Sequence, residues 1–154
     1  MANPFPFVAN TVLTAAELNG IGEATTAYTP TLAGITIGNG TVAASFTRVN
    51  KLVYGSVNIT LGSTSVITAT VTFTVPVTAS ANSLGLLTGD GYYYDFSTDT
   101  AYLGPSIRTS TTVCTPFIGN ASSTYVTRSL INATTPVVFG ASDQIVYDFL
   151  YEAA

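Results

Sequence analysis

The chain contains no histidine, no tryptophan and a single cysteine, Cys114. The missing histidine removes Ser-His-Asp and Cys-His activation of a nucleophile and the commonest metal-ligating side chain. One cysteine can form neither an intramolecular disulfide nor a thiolate metal site. Charge is equally scarce. Only 8% of the 154 residues are charged, against about 25% in an average soluble domain. The cations are Lys51, Arg48, Arg108 and Arg128, scattered along the sequence, and the formal net charge is −4. Nucleic-acid binding needs clustered basic groups that displace phosphate counterions, so this partner class is excluded. No uninterrupted apolar run of about 18 residues occurs, so membrane insertion is not expected. The opening Met1-Ala2-Asn3-Pro4-Phe5-Pro6-Phe7 lacks a basic n-region, which argues against a secretory signal and for assembly in a cytoplasm. Neither a phosphate-binding loop nor a dinucleotide fingerprint is present, and no cofactor is expected.

What is abundant is apolar, β-branched and small polar residue. Hydrophobic residues make up 47% of the sequence and mean hydropathy is +0.43. A surface so poor in charge must be neutral polar or covered by partners. From Tyr28 onward the pattern has period two, the mark of half-buried strands. Val53, Val57, Ile59 and Leu61 alternate with Tyr54, Ser56, Asn58 and Thr60, and Val71, Phe73, Val75 and Val77 alternate with threonines. Ile145, Tyr147, Phe149 and Tyr151 alternate with Val146, Asp148 and Leu150. That last run is apolar on both faces, which predicts a strand covered on both sides. Val146 and Leu150 are therefore assigned to a subunit interface. Turns are expected at Gly38-Asn39-Gly40, Val49-Asn50-Lys51, Gly89-Asp90-Gly91 and Ser97-Thr98-Asp99. The expected fold is an all-β, jelly-roll-like antiparallel β-sandwich over residues 28–154. A linker (23–27) joins it to an N-terminal arm with one short helix (1–22). Within that arm Thr14 and Glu17 fit a capping box, Leu13 and Leu18 fit a hydrophobic staple, and Gly20 fits a helix stop.

Chemistry-bearing residues are few. Asp90, Asp95 and Asp99 fall within one expected hairpin, where turn aspartates that bond their own backbone are the ordinary reading. A pair of carboxylates for glycoside hydrolysis remains only a remote reading, and no catalytic residue is assigned. The sharpest local feature is the aromatic group Tyr92, Tyr93, Tyr94, Phe96 and Tyr102. In a strand, Tyr92, Tyr94 and Phe96 share one face and Tyr93 points to the other. The set that leaves the core is expected to meet a receptor or a neighbouring subunit, since tyrosine is enriched at interfaces. A carbohydrate-binding module built on Tyr92–Tyr94 is a further reading.

Several segments resemble small bacteriophage structural proteins of the tail-fibre or minor tail type. They are Phe7-Val8-Ala9-Asn10-Thr11-Val12-Leu13-Thr14-Ala15-Ala16-Glu17-Leu18-Asn19, then Tyr28-Thr29-Pro30-Thr31-Leu32, Gly38-Asn39-Gly40-Thr41 and Phe46-Thr47-Arg48-Val49-Asn50-Lys51-Leu52-Val53, and the ending Tyr151-Glu152-Ala153-Ala154. The resemblance implies a homotrimeric virion protein with no catalytic residues. Its N-terminal segment, here Phe5, Phe7, Val8, Val12, Leu13 and Leu18, would attach it to other virion proteins of tail or capsid. Its β domain would face a host surface receptor. The chain has no collagen-like or coiled-coil shaft, which raises a second role as a capsid decoration (cement) protein on the phage head.

Overall fold

The computed structural model describes residue 12 and residues 24–83, 87–122 and 124–154. The expected helix around residues 14–19 lies outside the described residues. So do Phe5, Phe7, Val8, Leu13 and Leu18. Among the described residues there are ten strands and one turn of 3₁₀ helix, Ala81–Ser83. The strands are β1 (Thr26–Ala27), β2 (Leu32–Thr36), β3 (Thr41–Val49), β4 (Leu52–Thr60) and β5 (Val66–Thr74), followed by β6 (Leu87–Asp95), β7 (Thr100–Arg108), β8 (Val113–Asn120), β9 (Thr127–Leu130) and β10 (Gln144–Glu152). Every pairing is antiparallel. Hydrogen bonds join the strands in the order β1-β3-β4-β10-β6-β7-β8-β5-β2, with β9 attached to β8. The expected all-β antiparallel class is thus present. It takes the form of one continuous sheet curled into a half-barrel.

The connections force that curl. β2 and β3 are seven places apart in the strand order yet are joined by residues 37–40 alone. A flat sheet would separate them by about 34 Å at about 4.8 Å per strand. The link can reach at most about 17 Å. The β5–β2 wing must therefore turn back over the β3–β4–β10 wing. The link from β4 to β5 through residues 61–65 makes the same crossing. The two links lie against each other: Asn39 Oδ1 accepts from the Thr64 N–H and hydroxyl, both at 2.9 Å, and the Asn39 N–H donates to Thr64 Oγ1 at 2.9 Å. Gly38 takes φ 58° in the first link, a conformation cheap only for glycine.

Period-two alternation fills the space between the wings. Val53, Val57 and Ile59 from β4, Val71 and Phe73 from β5, and Ile145, Tyr147, Phe149 and Tyr151 from β10 are all buried. Phe73 stacks on Tyr147 with ring centroids 4.0 Å apart, and Phe149 lies 6.2 Å from Phe73. Tyr28 meets Phe46 and Phe149 edge-on. Tyr151 donates to the Val77 carbonyl at 2.7 Å, and the buried Arg108 lies over the Tyr151 ring at 6.0 Å while donating to the Ser80 carbonyl at 2.6 Å.

Three expected turns are where the sequence placed them. Asn50 and Asp99 take φ 56° and 52° in theirs. The fourth differs. Gly89-Asp90-Gly91 lies inside β6, with Asp90 paired to Pro105 and Gly91 to Gly104. Its glycines serve close packing, because a Cβ at position 91 would run into the Tyr93 hydroxyl and one at 89 into the Asp148 carbonyl. The first strand starts at Thr26, inside the span expected as linker.

Truncating Phe73 to Ala removes the contact between the wings. It is expected to cost about 3–5 kcal/mol, read as a lowered urea midpoint. Burial also raises the pKa values of the Tyr28, Tyr93 and Tyr147 hydroxyls and pushes Tyr151 up to about 12 and the Cys114 thiol up to about 11. Above about pH 10 the unfolded chain releases protons that the folded chain retains, so stability must fall as pH rises. The expected result is phenolate absorbance at 295 nm that appears in part only together with loss of β-sheet circular dichroism. Complete ionisation of an intact fold would contradict it.

Candidate functional site

The β6–β7 hairpin sorts its aromatic residues by parity. Tyr93 is fully buried, and its hydroxyl donates to the Phe117 carbonyl at 3.5 Å. Tyr102, directly opposite Tyr93, packs half-buried against the core. These two residues therefore belong to the interior and leave the exposed group expected from the sequence. Tyr92 and Phe96 are exposed at 38% and 61%, with Tyr94 half-buried between them. The Tyr92 and Tyr94 rings stack at 5.9 Å and 14°. Tyr94 donates to Asp99 Oδ1 at 2.6 Å, and that hydrogen bond raises the pKa of its hydroxyl.

β10 lies between β4 and β6 and sorts the same way. Tyr147, Phe149 and Tyr151 face the core. Val146 is half-buried and Leu150 is 49% exposed, both on the outer face. Register then assembles outer-face rows across strands. Leu103, Tyr92 and Val146 form one apolar row across β7, β6 and β10, which meets the polar Asn58 on β4. Leu150 and Tyr54 are opposite each other four residues further along, beside Leu52 and Val49 at the end of the β3–β4 hairpin. Tyr54 and Leu52 are each 53% exposed. Between the two apolar groups runs a polar row, Asp148 opposite Ser56, with Asp90 beside them. The Asp90 N–H donates to Asp148 Oδ1 at 2.6 Å. Ser56, Asp90, Tyr92, Leu103, Val146 and Asp148 line a shallow trough open to solvent. Asp148 carried no signal in the sequence, since its place beside Asp90 depends on the register of β10 against β6.

Asp95 and Asp143 are structural. Asp95 Oδ1 accepts from Ser97 N–H, Ser97 Oγ and Thr98 N–H at 2.9, 2.7 and 3.2 Å. Those bonds hold its carboxyl below the ordinary range. Asp143 is buried and accepts from Phe96 N–H at 2.9 Å and Gly140 N–H at 2.6 Å. It thereby ties the β6–β7 turn to the loop before β10. Buried Cys114, with its raised pKa, stays a thiol at neutral pH and is a poor nucleophile. Among the described residues, no three His, Cys, Asp or Glu side chains converge on a metal position, and no helix is long and apolar enough to cross a membrane. Val12, from the expected attachment segment, is 91% exposed.

Searches against protein-family models, curated proteins and solved structures find no match.

The two-faced hairpin has a direct test. Tyr93→Ala is expected to destabilise by about 3–5 kcal/mol. Tyr92→Ala, one residue away on the outer face, should fall within about 1 kcal/mol of the parent in the same denaturant titration.

Proposed function

We propose that this chain is a non-catalytic structural subunit of a bacteriophage particle, a homotrimeric fibre or minor tail protein attached through residues 1–22. The observation that carries the assembly reading is the outer-face group Tyr54, Leu150, Leu52 and Val49, exposed at 40–53% on a chain with 8% charge. The surface is poorer still in charge than that figure implies, because Arg108, Asp95 and Asp143 are buried. Apolar side chains gathered at one end of a sheet gain most from burial against a neighbour. The nearby ion pair of Lys51 and Glu152, 3.8 Å apart and solvent-exposed, adds little. The phage reading is supported by the resemblance of the segments at residues 7–19, 28–32, 38–41, 46–53 and 151–154. A second reading, as a capsid decoration protein, draws on the same face and the same segments.

The outward direction of Leu150 supports placing it in the interface. Leu150→Asp is expected to dissociate the oligomer, read by sedimentation equilibrium, while β-sheet circular dichroism persists, because the new charge would be buried only in the assembly. A monomeric parent protein at micromolar concentration would refute the trimer. Deleting residues 1–22 should yield a folded oligomer that no longer joins particles. Gold labelling of intact virions separates the two addresses: label at the tail for the fibre, label over the head for the decoration protein.

A further inference from the structure

We infer that the outer-face trough across β4, β10, β6 and β7 is a binding site for a neutral saccharide, with Tyr92 and Leu103 as its apolar wall and Asp90 and Asp148 as its hydrogen-bond acceptors. The inference deepens the preceding one by naming what a particle subunit would present that face to, and only its biological meaning rests on that reading.

The trough places an apolar row and a polar row side by side. Leu103, Tyr92 and Val146 are cross-strand neighbours. Asp90 and Asp148 are two residues further along their strands, about 7 Å away at the rise of an extended chain. That offset is the scale of one sugar ring. A pyranose has an apolar C–H face, which packs on an aromatic ring, and a rim of hydroxyl donors, which bond most strongly to ionised carboxylates. Ser56, also in the lining, can both donate and accept.

Other ligand classes fit less well. No basic side chain lines the trough, so a phosphorylated or uronic ligand would meet two like charges without compensation. A wholly apolar ligand would desolvate both carboxylates with nothing in return. A calcium ion takes six to eight oxygen ligands, and among the described residues no third His, Cys, Asp or Glu joins this pair.

The walls are braced, which lowers the ordering cost of binding. Asp148 is oriented by the Asp90 N–H at 2.6 Å, and its carbonyl accepts from Ser106 Oγ at 3.4 Å. Tyr92 leans on Tyr94, which is tethered to Asp99. The Tyr54 and Leu150 group begins two residues beyond the trough's polar row, so the interface proposed above borders the trough, and Val146, assigned to that interface from the sequence, lines the trough instead.

The test is a microarray of neutral and anionic oligosaccharides probed with the full-length protein. Calorimetric titration of the best neutral binder then follows, for the parent and for variants checked by circular dichroism. We expect at least one neutral oligosaccharide to bind. Tyr92→Ala and Asp90→Asn should each weaken it by about tenfold or more. Phe96→Ala, outside the trough, and added EDTA should leave it unchanged. Binding of anionic glycans only, no binding at all, parent-like affinity in Tyr92→Ala, or loss of binding in EDTA would each overturn the site. None of these outcomes depends on where the protein sits on a particle, so this inference and the virion reading fail separately.

Discussion

Two short links join strands seven and five places apart in the sheet, and the rest of the architecture depends on them. Residues 37–40 and 61–65 connect strands that lie far apart in the hydrogen-bonded order. Asn39 and Thr64 lock the links to each other. With the wings held together, every strand acquires an inside and an outside. Phe73 can then meet Tyr147 and Phe149 although β5 and β10 share no ladder. The outside of β4, β10, β6 and β7 becomes a broad surface with no layer of its own among the described residues.

On that surface the scarcity of charge acquires a location. Arg108, Asp95 and Asp143 are spent on internal tasks. They hold the segment after β5, the β6–β7 turn and the loop before β10. The outer face is left with apolar side chains and the adjacent carboxylates of Asp90 and Asp148. One end offers burial to a neighbour, and the other combines ring faces with acceptors. A single sheet face can support two kinds of contact because register keeps the rows apart.

Much of this was legible in the residues. The alternation in β4, β5 and β10 named the core correctly, since period two is a property of the strand itself. The parity of Tyr92, Tyr93 and Tyr94 put Tyr93 on the face opposite the other two and left open which set would leave the core. Turns that need positive φ were found at Gly38, Asn50 and Asp99. Gly89-Asp90-Gly91 was misread because glycine serves two ends that look alike in sequence. Here the missing Cβ admits the Tyr93 hydroxyl and the Asp148 backbone rather than a reversed chain. The curl and the trough were illegible for a related reason. Both arise from pairings between residues distant in sequence, such as Val146 with Tyr92 and Asp90 with Asp148.

The place of β10 bears on how the molecule comes into being. It follows all the other strands in sequence, yet it lies between β4 and β6 and pairs with both. On the ribosome, the β3–β4 hairpin and the β6–β7 hairpin therefore emerge with facing edges unpaired and nothing to join them. The sheet stays in two pieces until residues 144–152 arrive. Contacts so remote in sequence form slowly, and waiting edges are adhesive. A nascent chain of this design is most vulnerable before residues 144–152 have emerged, and each copy spends that interval with the strand that joins the two hairpins missing.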